Sequence, residues 1–129
     1  MVADLPEGFV ERVRELVPHY RRFFDELDQM LTDNEIFKAR AIGVGVLKAK
    51  DAVNAGIGGP VLRASGVYHD IRKADPYSIY HRLDFEIPVQ TAGDVYARYK
   101  QRLAEARVSI NIVEQALREK SEELSLQNK

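Results

Sequence analysis

Two apolar stripes of helical period constrain the fold more than any other feature of the sequence. The first alternates steps of four and three residues and comprises Phe9, Val13, Leu16, Tyr20, Phe23, Leu27 and Met30, and it is widened by Val10, Val17, Phe24 and Leu31. The second follows Gly93 and comprises Tyr96, Tyr99, Leu103, Ala106, Ile110, Val113 and Leu117. This spacing places the apolar side chains on one face of an α-helix. We therefore predict two long helices, residues 9–31 and 93–124, that bury these faces against each other in an antiparallel hairpin.

The connector between the long helices, residues 32–92, has a less regular pattern. Short helices are predicted at 33–41 and 48–56, where polar residues precede mixed apolar and charged turns. The run "IGVGVL" at 42–47 alternates apolar residues with glycine, and "DFEIPV" at 84–89 alternates Phe85, Ile87 and Val89 with other residues. We predict that these two runs pair as strands. The expected fold is a single domain, mainly α, with two long antiparallel helices, short helices in the connector and a small two-stranded β element.

Composition narrows the classes of function. With 19 Lys and Arg against 20 Asp and Glu, the net charge of −1 gives no field that would favour nucleic acid. The sequence contains no cysteine, so it offers no thiolate ligands for zinc or an iron–sulfur cluster. Its three histidines are too scattered for a metal motif, and no apolar run approaches the roughly 18 residues of a membrane span. We expect no metal, no nucleic-acid partner and no direct membrane span.

The segment 59–80, "GPVLRASGVYHDIRKADPYSIY", combines bend-forming glycines and prolines with many charges and three tyrosines. Its candidate structural or subunit-interface residues are Arg63, Asp70, Arg72, Lys73, Tyr77 and Tyr80. Arginine suits partly buried, bidentate ion pairs. Three interpretations are open: an internal ion-pair clamp, a surface that faces a partner, and a small-ligand or catalytic site. We favour the clamp, with both arginines paired to carboxylates such as Asp70, Asp75 or Asp84.

Several motifs occur in an order and at a spacing that resemble a known family. They are "LTDNEIF", "GVGVL", "GPVLRASGV", "D-x-RK-x-xPY-x-x-Y", "DFEIPV" and "GDVYARY". Together they resemble the 49-kDa (D-subunit) family of respiratory complex I, the proton-pumping NADH:quinone oxidoreductase, which is homologous to the large subunit of [NiFe] hydrogenases. Two alternatives stay open. One is a segment of the large subunit of a membrane-bound energy-converting hydrogenase, and the other is a free-standing helical interaction module.

The resemblance implies a place in the quinone-reducing module of complex I. Members of the family run to several hundred residues, so the chain would be an internal segment that scaffolds the quinone site in the intact subunit and is inactive alone. The intact complex uses NADH, FMN, iron–sulfur clusters and quinone, none of which this segment is expected to bind. Its implied partners are other peripheral-arm subunits, including the one that carries the terminal iron–sulfur cluster. Its implied location is peripheral, on the cytoplasmic side of the plasma membrane. No catalytic, quinone-binding or metal-binding residue is carried over, because the family's quinone-headgroup residues lie upstream of the matching motifs.

Overall fold

The computed structural model describes residues 5–127, with side chains as far as Lys120. The helices in this range are α1 (Phe9–Leu31), α2 (Glu35–Ala41), α3 (Ala49–Asn54), α4 (Gly59–Ala64), α5 (Ile71–Ala74) and α6 (Val95–Gln127), with a 3₁₀ helix at Tyr80–Arg82. The mainly α prediction agrees with this element order. No helix in the described range is long and apolar enough to cross a membrane.

The two long helices, α1 and α6, pack against each other in opposite directions. An apolar cluster joins the start of α1 to the end of α6 through Val10, Val17, Ile110 and Leu117. Towards the end of α1, Asp28 accepts a hydrogen bond from Arg107 Nη2 at 2.8 Å. The hydroxyl of Tyr96, in the first turn of α6, donates to the Thr32 carbonyl just beyond α1 at 2.8 Å. These contacts extend along the whole length of α1.

Only part of the first apolar stripe lies in this contact. The most buried residues of α1 are Val10 and Val17, which belong to the predicted widening of the stripe. Four members of the stripe are 50–64% exposed, namely Leu16, Tyr20, Phe23 and Met30. The predicted antiparallel packing of α1 on α6 is therefore confirmed, but only one side of the broad apolar face is buried in it. The apolar surface of α1 is wider than the strip that a single neighbouring helix covers.

The predicted two-stranded β element is also wrong, since the described residues contain no strand. Within the run 42–47, Gly43 and Gly45 have φ angles of 72° and 60°. This left-handed backbone conformation cannot continue a pleated strand. The run instead lies beside the start of α6, where Leu47 N–H donates to the Gly93 carbonyl at 2.9 Å and Val95 N–H donates to the Val44 carbonyl at 3.0 Å.

The second predicted strand, residues 84–89, lies against α6. Its alternation correctly marks the inward side chains, because Phe85 and Ile87 are buried. The side chain of Gln115 forms two hydrogen bonds with the backbone of Asp84. The Asp84 N–H donates to Gln115 Oε1 at 2.7 Å, and Gln115 Nε2 donates to the Asp84 carbonyl at 2.6 Å. A helix side chain thus supplies the two bonds that a paired strand would have made.

Asp94 fixes the start of α6. Its Oδ1 accepts from the Ala97 N–H at 2.7 Å, as an N-cap does, and its Oδ2 accepts from the Gly43 N–H at 2.8 Å. Burial acts to raise the pKa of Asp94, but these backbone hydrogen bonds outweigh it and lower the pKa below the usual value. One carboxylate therefore both caps the helix and holds the glycine-containing run 42–47 against it.

Truncation of Leu103 tests the contribution of the α1–α6 contact to stability. Leu103 is buried on the side of α6 where it shares a hollow with Phe24 and Leu27. We expect Leu103→Ala to lower the free energy of unfolding by about 2–5 kcal/mol in urea denaturation, because it leaves a cavity in packed surroundings. The control Ile36→Ala, at a 69% exposed position, should change it by less than about 0.5 kcal/mol. Equal effects of the two substitutions would contradict a core role for Leu103.

Candidate functional site

Three short elements bring the predicted site residues to one side of α6. Arg63 lies on α4, and Asp70 is the N-cap of α5, accepting a hydrogen bond from the Arg72 N–H. Lys73 is also on α5, Tyr77 follows it, and Tyr80 begins the 3₁₀ helix. Arg63 and Asp70 are buried, Arg72 and Tyr80 are partly buried, and Lys73 and Tyr77 are exposed.

Arg63 forms a bidentate ion pair in the protein interior. Its Nε donates to Glu105 Oε1 at 2.7 Å, and its Nη2 donates to Glu105 Oε2 at 2.9 Å. The third nitrogen, Nη1, donates to the His69 carbonyl at 2.9 Å and lies 3.5 Å from Asp70 Oδ2. The residue is only 6% exposed. A buried guanidinium is tolerated when carboxylates and carbonyls satisfy its donors in this way.

Asp70 connects Arg63 to a second arginine. Arg72 Nη2 donates to Asp70 Oδ2 at 2.6 Å, and Arg72 Nε donates to Asp70 Oδ1 at 3.0 Å. The hydrogen bond from the Arg72 side chain lowers the pKa of Asp70, and the same bond raises the pKa of Arg72. Glu105, Arg63, Asp70 and Arg72 thus contact one another in this order, with charges of alternating sign. We call these four residues the ion-pair cluster.

Sequence reasoning missed Glu105. The predicted partners Asp75 and Asp84 are exposed, and neither forms an ion pair with Arg63 or Arg72 among the described residues. Glu105 lies on a face of α6 that the predicted stripe does not include. The sequence does contain a pattern that could have predicted this contact. A second set of residues at helical spacing lies on the same face of α6 as Glu105, namely Gln101, Val108 and Ile112.

Gln101 holds the Glu105 carboxylate in place. It is fully buried, and its Nε2 donates both to Glu105 Oε1 and to the Pro88 carbonyl, each at 2.6 Å. Its Oε1 is buried and has no hydrogen-bond partner among the described residues. Gln101 therefore links the ion-pair cluster to the extended run 84–89.

Aromatic rings border the cluster on its outer side. The Arg72 guanidinium lies 5.1 Å from the centre of the Phe85 ring, and Lys73 Nζ lies 4.3 Å from the same ring. Both distances suit cation–π attraction. Tyr77 and Tyr80 form an edge-to-face pair with ring centres 4.9 Å apart. The cationic and aromatic members of the predicted site thus form one contiguous surface next to the cluster.

An open cleft of about 540 Å³ lies over the cluster, lined by Arg63, Asp70, Arg72, Glu105, Ser109 and Tyr77 among others. Its four charged side chains are paired with one another in the ion-pair cluster. No group of three or more His, Asp or Glu side chains within the described part of the chain is placed to bind a metal ion. The arrangement is that of a structural cluster, which fixes the connector to α6.

The sequence profile of one family, described as the 49-kDa subunit of respiratory-chain NADH dehydrogenase, matches residues 1–129. The chain belongs to this family. It is 48% identical over 118 residues to the D subunit of NADH-quinone oxidoreductase from Dehalococcoides mccartyi, a match that covers 92% of this chain and 32% of that protein. It is 46% identical over 114 residues to a D subunit of the same enzyme from Roseiflexus, where the match covers 88% of this chain and 30% of that protein. The family resemblance of the sequence motifs is confirmed.

A solved structure shares both sequence and fold with the chain. It is the membrane-bound sulfane sulfur reductase, an archaeal respiratory membrane complex, in which one chain matches with a TM-score of 0.83 and 40% identity. The match covers 90% of this chain and 31% of that one. The chain thus spans about 30% of the length of the relatives that it matches.

Removal of either arginine tests the ion-pair cluster. Arg63→Ala removes both hydrogen bonds that the guanidinium donates to the largely buried Glu105 carboxylate, so we expect the free energy of unfolding to fall by about 3–5 kcal/mol. Arg72→Ala should cost less, about 1–3 kcal/mol, because Arg72 is more exposed and Asp70 retains Arg63. The exposed Lys100→Ala control should stay within about 0.5 kcal/mol. Urea denaturation midpoints that place both arginine variants level with this control would rule out a stabilising cluster.

The lowered pKa of Asp70 predicts a specific dependence of stability on pH. The ionised carboxylate stabilises the folded state above the unfolded-state pKa of about 3.9, and this contribution is lost as the pH falls through the lower folded-state pKa. Asp70→Asn should therefore be less stable than the wild type by a constant amount between about pH 5 and pH 7, and the gap should shrink below about pH 4. Urea denaturation across this range measures the gap. The exposed Asp75→Asn is the control, and a gap for Asp70→Asn that persists unchanged at about pH 2 would contradict the prediction.

Proposed function

We propose that the chain is part of the quinone-reducing module of a proton-pumping NADH:quinone oxidoreductase. In the intact 49-kDa subunit it scaffolds the quinone site and contributes a surface to a neighbouring subunit. Family membership supports the assignment to this class of respiratory complex, because the curated relatives are D subunits of NADH-quinone oxidoreductases. The energy-conserving reaction belongs to the assembled complex, of which the chain matches only a part of one subunit.

The observation that carries the scaffold proposal is the contrast between the inner and outer sides of residues 58–82. The inner side is fixed to α6 by the buried pairing of Arg63 with Glu105. The outer side exposes large apolar and aromatic groups, with Tyr68 at 68%, Tyr77 at 54% and Ile71 at 52%. Exposed aromatic side chains on a firmly held surface are typical of protein interfaces. We propose that this surface faces another peripheral-arm subunit, the one that carries the terminal iron–sulfur cluster.

The chain contributes position and packing to this module, and the electron carriers belong to its partners. Thiolate-held iron–sulfur clusters need cysteines, and the sequence has none. NADH, FMN, the clusters and quinone are cofactors and substrates of the intact complex in this proposal. The chain alone is inactive, and it reaches the cytoplasmic side of the plasma membrane through its partners as a peripheral component.

A pull-down from solubilised membranes of the source cell tests this function. The tagged chain should recover complex I subunits, including the one with the terminal cluster, whereas the purified chain alone should neither oxidise NADH nor reduce a quinone analogue. The double variant Lys73→Glu, Tyr77→Ala should reduce recovery by about tenfold or more, as expected for central interface residues. The matched control Lys50→Glu, at an exposed position on α3, should recover the same subunits as the wild type. Recovery of no respiratory subunit would contradict the proposal and favour a free-standing interaction module.

A second candidate is a subunit of a different respiratory membrane complex, such as an energy-converting hydrogenase. The likeness to the sulfane sulfur reductase complex at 40% identity favours this candidate, because that relative is not named as an NADH:quinone oxidoreductase. The same pull-down separates the two. Recovery of NADH-oxidising subunits supports the first candidate, and recovery of hydrogenase or sulfur-reductase subunits supports the second.

A further inference from the structure

We draw no further inference here: the strongest candidate, the exposed apolar face of α1 formed by Leu16, Tyr20, Phe23 and Met30, carries none because the chain spans about 30% of the length of the relatives that it matches and nothing in the structure shows what covers this face.

Discussion

The bidentate pair of Arg63 and Glu105 is the interaction on which the irregular half of the molecule depends. Two charges removed from water carry a desolvation cost that only close pairing and further hydrogen bonds offset. Further contacts surround this pair. Gln101 donates a hydrogen bond to the Glu105 carboxylate, the His69 carbonyl accepts one from the Arg63 guanidinium, and the Asp70 carboxylate lies within ion-pair distance of it. Because α4 is a single short helix, it has little packing surface of its own. Its position on α6 is set by this polar contact together with the burial of Leu62 and Ala64.

Asp70 extends the same constraint outward. It caps α5, and it binds the Arg72 side chain while facing Arg63 from the other side. Arg72 then lies against Phe85, which is itself buried against α6. The series of contacts that starts at Glu105 on α6 therefore ends at Phe85, which packs on the same helix. The outer surface with Tyr77 and Lys73 is therefore held on α6 by contacts on both sides of α5.

Helix α6 is the shared support of both halves of the fold. One face packs on α1 through residues such as Ile110 and Leu117, and the opposite side packs on the connector through Gln101 and Ile112. A single helix covers only a strip of its neighbour, so α1 retains an apolar stripe that α6 does not cover. The described residues therefore present two separate exposed surfaces, one on α1 and one on residues 58–82.

The sequence by itself determined the local structure and the family. The three-and-four periodicity predicted both long helices, because side-chain period is a property of the helix itself, and the ordered motifs identified the family that the profile match confirms. The alternation at 84–89 marked which residues point inward. It did not reveal their partner, since an extended run can satisfy its backbone with a strand or, as here, with the Gln115 side chain.

Only the tertiary structure decided which residues meet across long sequence separations. Asp70, Asp75 and Asp84 were equal candidates for the two arginines by type and proximity in sequence, but the main partner of Arg63 came from Glu105, 42 residues away on α6. The two-stranded element failed for the same reason, because Gly43 and Gly45 turn their run towards Gly93 and Val95. Local patterns specify which face of an element is apolar. The choice of partner depends on how all the faces fill space together, and a single helix period carries no information about that.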